Sequence, residues 1–230
     1  MQLYEFSDRA ECERALLDEI TAQLQQTIDE KKSASIALAG GNTPKPFYQT
    51  LSEQPIHWQN VKVTLTDERW VDSDHEDSNE RMLAQTLRQN KGHDCVFFPL
   101  KNSEPSPVTG QMRTADMLIK NIPALDFAIL GMGDDGHFAS IFPAMDNTSA
   151  LLDLKQSAPC LPAYPEGKPA RMSLTLAYLL KAKALYLFIT GKEKHQVLQA
   201  MQDSNVEHPL PIYYLIHQTV CPLHVYWSAS

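Results

Sequence analysis

Short apolar runs alternate along this chain with longer segments whose apolar residues recur every three or four positions, and that alternation leaves few folds open. Residues 33–39, 61–66, 125–130 and 184–190 read as strands, the first and third strongly apolar and so buried on both sides. Between them, residues 8–31 predict a long amphipathic helix capped by Ser7, with Ala10, Leu16, Leu17, Ile20, Leu24 and Ile28 at helical spacing. Further helices are expected from Pro44 onward through Leu51, and over 79–89, 111–121, 176–182 and 192–202. Shorter strands are expected at 95–98, 171–175 and 224–227. Residues 143–170 hold five prolines and are expected to be irregular. Strands and helices in this order predict an α/β chain, with a mainly parallel sheet flanked by helices on both faces.

The 230 residues fit one domain, 1–230, with enough chain to bury a sizeable core. The formal charge of −8 argues against a general nucleic-acid binder, which needs clustered cations for phosphates. No apolar run approaches the roughly 20 residues of a membrane span. The acidic N-terminal stretch lacks the apolar core of a signal peptide. Cys12, Cys95, Cys160 and Cys221 are widely spaced and read as separate thiols in a reducing, cytoplasmic setting, with no metal site.

The chain has only nine glycines, and six fall in three junctions where a strand gives way to a helix: Gly40 and Gly41; Gly131, Gly133 and Gly136; and Gly191. In open α/β sheets ligands bind beyond the carboxyl ends of the strands, where such junctions meet. A helix N-terminus there presents free N–H groups to an anion. Gly40-Gly41-Asn42-Thr43 therefore reads as a phosphate or polyol cradle, or alternatively as a tight turn with Thr43 as helix cap. Asp67, Glu68 and Arg69 follow a strand and suit the orientation of a sugar hydroxyl and a carbonyl; a surface salt bridge is the rival reading. Segment 66–81 carries seven acidic residues and two arginines, net −5, most of it expected in a solvated loop.

Gly131-Met132-Gly133-Asp134-Asp135-Gly136 matches the dinucleotide fingerprint, but Asp134 and Asp135 put negative charge where a pyrophosphate would lie. The following segment runs into Phe142-Pro143 rather than a crossover helix, so no nucleotide cofactor is expected. His137, on this turn beside Asp135, suits a general base oriented by a carboxylate. The other seven histidines have no such context. Arg171 at the start of a strand and Lys194 at the start of a helix are candidate phosphate partners.

Taken in order, Ala39-Gly40-Gly41-Asn42-Thr43-Pro44, Asp67-Glu68-Arg69, Ser78-Asn79-x-Arg81, Gly131-x-Gly133-x-Asp135-Gly136-His137-x-Ala139-Ser140-x-Phe142-Pro143, Arg171-x-Ser173-Leu174-Thr175 and Gly191-x-x-Lys194 resemble the 6-phosphogluconolactonase family over residues 5 to 228. That family sits in the wider superfamily of glucosamine-6-phosphate deaminase. The resemblance implies a single Rossmann-like domain related to the sugar-phosphate isomerases, and a cytoplasmic enzyme of the oxidative pentose phosphate pathway. Such an enzyme opens 6-phospho-D-glucono-1,5-lactone to 6-phosphogluconate without metal or cofactor, as a monomer or weak homo-oligomer. It also implies His137, Asp135, Arg69 and Asp67 as catalytic residues, and Gly40, Gly41, Asn42, Thr43, Arg171 and Lys194 around the substrate phosphate. An amino-sugar deaminase would carry a glutamate where Phe142 stands. A non-catalytic sugar-phosphate-binding protein is the alternative from another class. The chain departs from the lactonase pattern at Ala39 and Asn42, each in place of a serine, at Leu210-Pro211-Ile212-Tyr213-Tyr214, and in its last strand, which lacks a following aspartate.

Overall fold

The computed structural model describes all 230 residues. In chain order the elements are β1 (Gln2–Phe6), α1 (Arg9–Lys31), β2 (Ala34–Leu38), α2 (Lys45–Ser52), β3 (Val61–Leu65), β4 (Asp67–Arg69), α3 (Asn79–Gln85), β5 (Val96–Phe97) and α4 (Pro107–Asn121). Then follow β6 (Phe127–Leu130), α5 (Thr148–Leu152), β7 (Cys160–Ala163), β8 (Arg171–Leu174), α6 (Leu176–Leu179), β9 (Ala184–Thr190), α7 (Lys192–Ala200), α8 (Pro211–His217) and β10 (Leu223–Ser228). Seven strands form one sheet in the order β1-β10-β9-β6-β2-β3-β5, and every neighbouring pair is parallel. Successive side chains of a strand point to opposite faces. Every residue of β2 and β6 is buried, so the helices cover both faces of the sheet centre. No helix is long and apolar enough to cross a membrane.

From β2 the chain steps outward on one side to β3 and β5, then returns to the other side with β6, β9 and β10. The reversal lies between β2 and β6, whose carboxyl ends therefore border a crevice. Register fixes what faces it: Leu38 lies opposite Ile129 of β6 and Leu65 of β3. The segments that follow these strands emerge side by side.

A second, antiparallel sheet, β4-β8-β7, stands against this crevice and was not expected from the sequence. Its strands come from stretches read as a loop motif (67–69), a strand (171–174) and an irregular region (160–163). Pro162 misled the reading of β7: proline cannot donate to a ladder, yet it is tolerated on an edge strand, which β7 is. The expected irregular region also holds α5. Other differences are local. Asp8, not Ser7, caps α1, accepting from Glu11 N at 2.8 Å. Helix α4 starts at Pro107 under a Ser106–Thr109 capping box, four residues before the expected start. Helix α3 stops at Gln85 rather than 89. Strand β1 and helix α8 complete the list of elements that periodicity alone did not reveal.

Candidate active site

Nine of the ten site residues singled out from the sequence line one cleft of about 250 Å³ beyond the carboxyl ends of the central strands: Gly40, Gly41, Asn42, Thr43, Asp67, Arg69, His137, Arg171 and Lys194. The tenth, Asp135, stands behind His137. Thr66, Asn79, Gly133 and Ala139 also line the cleft.

The Gly40–Thr43 turn follows β2 and enters α2. Its ends are pinned from outside: the buried Tyr48 hydroxyl donates to Ala39 O at 2.8 Å, and Arg9 Nη2 of α1 donates to Thr43 O at 2.5 Å. Thr43 does not cap α2; the cap position is Pro44, without a side-chain bond. The Thr43 hydroxyl and the Asn42 amide are therefore left for a ligand. A Cβ on Gly40 would fall 2.0 Å from Asn79 Oδ1. Asn79 is itself fixed, its Nδ2 donating to Asp67 O at 2.9 Å. Gly40→Ala is therefore expected to push the turn out of place and raise KM at least tenfold in steady-state assays, while thermal unfolding changes less.

Sheet register assembles the charged wall. In the β4–β8 pair, Asp67 lies opposite Ser173 and Arg69 opposite Arg171. Asp67, read from the sequence as a possible surface salt-bridge partner, is only 5% exposed. The Ser140 hydroxyl donates to Asp67 Oδ2, and Arg171 Nη1 donates to Ser140 Oγ at 3.2 Å while lying 3.5 Å from Asp67 Oδ2. Burial, together with the charge of Arg69, holds the Arg171 guanidinium below its usual value, and Asp67 pulls it back up. Arg69 Nη1 donates to Asp77 O at 2.6 Å. The Nε atoms of Arg69 and Arg171 are buried without a hydrogen-bond partner. Arg69 and Arg171 thus bring two guanidinium groups to the wall of one cleft. Lys194 reaches the same cleft from the first turn of α7.

The Gly131–His137 turn follows β6. His137 Nδ1 lies 2.5 Å from Asp135 Oδ1, which also accepts from the His137 backbone N–H at 3.2 Å. The carboxylate thus orients the ring and closes the turn at once. Partial burial disfavours the Asp135 carboxylate, but its bond to His137 prevails and holds it below the usual aspartate range. Its stabilising contribution is present above about pH 4, the unfolded value, and is lost as pH falls through the lower folded value. The turn is packed from behind by the segment that departs from the lactonase pattern: Ile212 N donates to Gly136 O at 2.9 Å. The atypical 210–214 stretch is thus the start of α8 and supports the site. A Cβ on Gly133 would lie 2.2 Å from His137 Nδ1 and 2.7 Å from Asp135 Oδ1. Gly133→Ala is expected to break this pair and cost at least tenfold in kcat, with KM changed little.

Sequence reasoning grouped Glu68 with Asp67 and Arg69 to orient a sugar hydroxyl and a carbonyl, and gave Asn79 and Ser140 no role beyond their place in the family motifs. Glu68 instead binds backbone and does not line the cleft. Glu68 is 2% exposed, and its carboxylate accepts from the N–H groups of Arg69, Asn79 and Glu80 at 2.7–2.8 Å. It therefore fixes the N-terminus of α3, and with it Asn79. The acidic residue two places after a buried strand, followed by Ser78 as helix cap, was the available signal.

A histidine–aspartate pair and three cationic side chains meet at the reversal of a parallel sheet, the place where α/β enzymes hold their ligands. The chain belongs to the family described as glucosamine-6-phosphate isomerases/6-phosphogluconolactonase, whose profile matches residues 7–227. It is 34% identical to a 6-phosphogluconolactonase of Pseudomonas putida, over 99% of this chain and 93% of that protein. It is likewise 34% identical to that of Rhizobium meliloti, over 97% of each. A crystal structure of a 6-phosphogluconolactonase from Shewanella baltica superposes with a TM-score of 0.95 at 33% identity, covering 100% of this chain and 98% of that one. A monomeric glucosamine-6-phosphate deaminase shares the fold, with a TM-score of 0.79 at 18% identity. Within the family the chain sides with the 6-phosphogluconolactonases.

Proposed function

We propose that this enzyme hydrolyses 6-phospho-D-glucono-1,5-lactone to 6-phospho-D-gluconate, with His137 as general base. The observation that carries the reading is the shared cleft: the His137–Asp135 pair opens onto the same space as Arg171, Lys194 and the free Gly40–Thr43 turn. The pathway assignment follows from this substrate.

With Nδ1 held by Asp135, the remaining ring nitrogen, Nε2, is the one available to the cleft. It accepts a proton from water as the water oxygen bonds to the lactone carbonyl carbon. Charge develops on the carbonyl oxygen, where Arg69 is the donor proposed to meet it. The intermediate collapses by breaking the bond to the ring oxygen, and the His137 imidazolium returns its proton to that oxygen. The new carboxylic acid ionises. Asp135 stabilises the transient imidazolium without being protonated itself. The phosphate lies against the Gly40–Thr43 N–H groups, Arg171 and Lys194, which fixes the carbonyl carbon near His137.

The test is hydrolysis of freshly prepared lactone by the purified enzyme, corrected for spontaneous opening. Turnover is expected with the phosphorylated lactone and not with unphosphorylated gluconolactone, and no ammonia is expected from glucosamine 6-phosphate. Equal rates on both lactones would remove the phosphate site from the proposal. Lys194→Ala is expected to raise KM by about tenfold or more, since a bond to a charged group contributes about 1.5–3 kcal/mol, and to leave kcat nearly unchanged.

A further inference from the structure

The His137 ring is held by more than Asp135. Its centroid lies 4.0 Å from that of Phe142, with the planes 23° apart, a stacked contact. Phe142 is buried, 6% exposed, and does not line the cleft. Two cations reach the same aromatic ring. Lys168 Nζ is 4.6 Å and Arg171 Cζ 5.2 Å from the Phe142 centroid. Lys168 belongs to the β7–β8 connection, where Lys168 N donates to Pro165 O at 3.2 Å between two prolines, so its backbone is constrained.

Rotation about the bond that carries an imidazole is soft, with broad wells. A single hydrogen bond at Nδ1 tolerates changes in length and angle, so concerted changes of χ1 and χ2 can keep Nδ1 near Asp135 while the ring tilts. Such a tilt displaces Nε2, which lies across the ring from the Nδ1 contact. A general base needs its proton-accepting atom within hydrogen-bond reach of one water, so the plane has to be set by a second contact. The flat face of Phe142 supplies it. Phe142 in turn cannot tilt without leaving Lys168 and Arg171, each within cation–π range.

We propose that Phe142 is the positioning residue of the catalytic histidine: its ring sets the imidazole plane of His137, and the Lys168 and Arg171 cations hold Phe142 in place. The proposal rests on the reading of His137 as base. It also ties the β7–β8 connection, remote in sequence, to the geometry of the reaction.

Three measurements test it. In the wild type, the ring protons of His137, observed by NMR, are expected at upfield positions from the Phe142 ring current; shifts at ordinary histidine positions would overturn the stack without reference to any activity. Phe142→Leu keeps apolar bulk and removes the flat face. Its kcat for lactone hydrolysis is expected to fall about 10- to 100-fold, the scale of a misplaced reacting group, with KM within twofold of wild type and the upfield shift lost. Phe142→Tyr restores the face and is expected to recover most of kcat and the shift. A Phe142→Leu enzyme with wild-type kcat, or a loss that Phe142→Tyr does not recover, would overturn the proposal. If the wild type does not open the lactone at all, the functional reading fails, while the NMR shifts of wild type and Phe142→Leu still decide whether Phe142 sets the ring.

Discussion

Replacing His137 by glutamine is expected to lower kcat by about 10²–10⁴-fold, the usual contribution of a positioned general base, with KM nearly unchanged. Glutamine keeps a hydrogen-bonding side chain but cannot take a proton from water and return it to the ring oxygen. The cleft offers no ready substitute. Asp67 Oδ2 is already engaged by Ser140 and lies beside Arg171. Glu68 is turned away to bind three backbone N–H groups. Phosphate binding does not depend on the imidazole, so substrate should still saturate the variant at similar concentrations. Asp135→Asn gives a second, graded result. An asparagine at 135 can present an N–H to Nδ1, favouring the tautomer in which Nε2 carries the proton and cannot act as base. A smaller but clear loss in kcat is expected, again with little change in KM. Full activity in His137→Gln, measured above the spontaneous rate, would place the base elsewhere.

These outcomes turn on a turn that was legible in the sequence because its chemistry is local. His137 and Asp135 are two residues apart, and the glycines around them mark a backbone that closes tightly. The same holds for Gly40–Thr43. Strands β2, β6 and β9 were readable because both their faces are buried, which writes them as apolar runs. The second sheet was not readable. β4 and β8 pair across about a hundred residues, and each is three or four residues long, too short to show a period. Without that pairing, Asp67, Arg69 and Arg171 look like separate surface charges. The acidic segment 66–81 shows the same limit. Residues 72–77 are exposed, as a solvated loop should be, but Asp67 and Glu68 are buried in bonds whose partners lie elsewhere in the chain. Helix α8 carried no capping side chain, only Pro211 at its start, and its function as a brace for the Gly136 turn is purely tertiary.

The buried charges make Arg171→Met the change with the largest expected effect on stability. The Arg171 and Asp67 side chains are 9% and 8% exposed. Methionine fills much of the arginine stem volume but leaves Asp67 with the Ser140 hydroxyl as its remaining side-chain partner, besides a long contact from Thr66 Oγ1 at 3.3 Å. Removing one member of a buried ion pair costs about 3–5 kcal/mol, because the other charge is left uncompensated. Urea unfolding should show a loss on that scale. The pair is also coupled to function, and the two effects can be separated. In Arg171→Met with Asp67→Asn, the orphaned charge is gone, so most of the lost stability should return. Affinity for inorganic phosphate should not return, because the cation itself is missing from the cleft. If the double variant regained phosphate binding, Arg171 would be a structural partner of Asp67 alone, and Lys194 with the Gly40–Thr43 turn would have to hold the phosphate unaided. If the single variant unfolded like the wild type, the Asp67 charge would be carried by Ser140 and Thr66, and the orphaned Nε of Arg171 would be the reason to keep an arginine there.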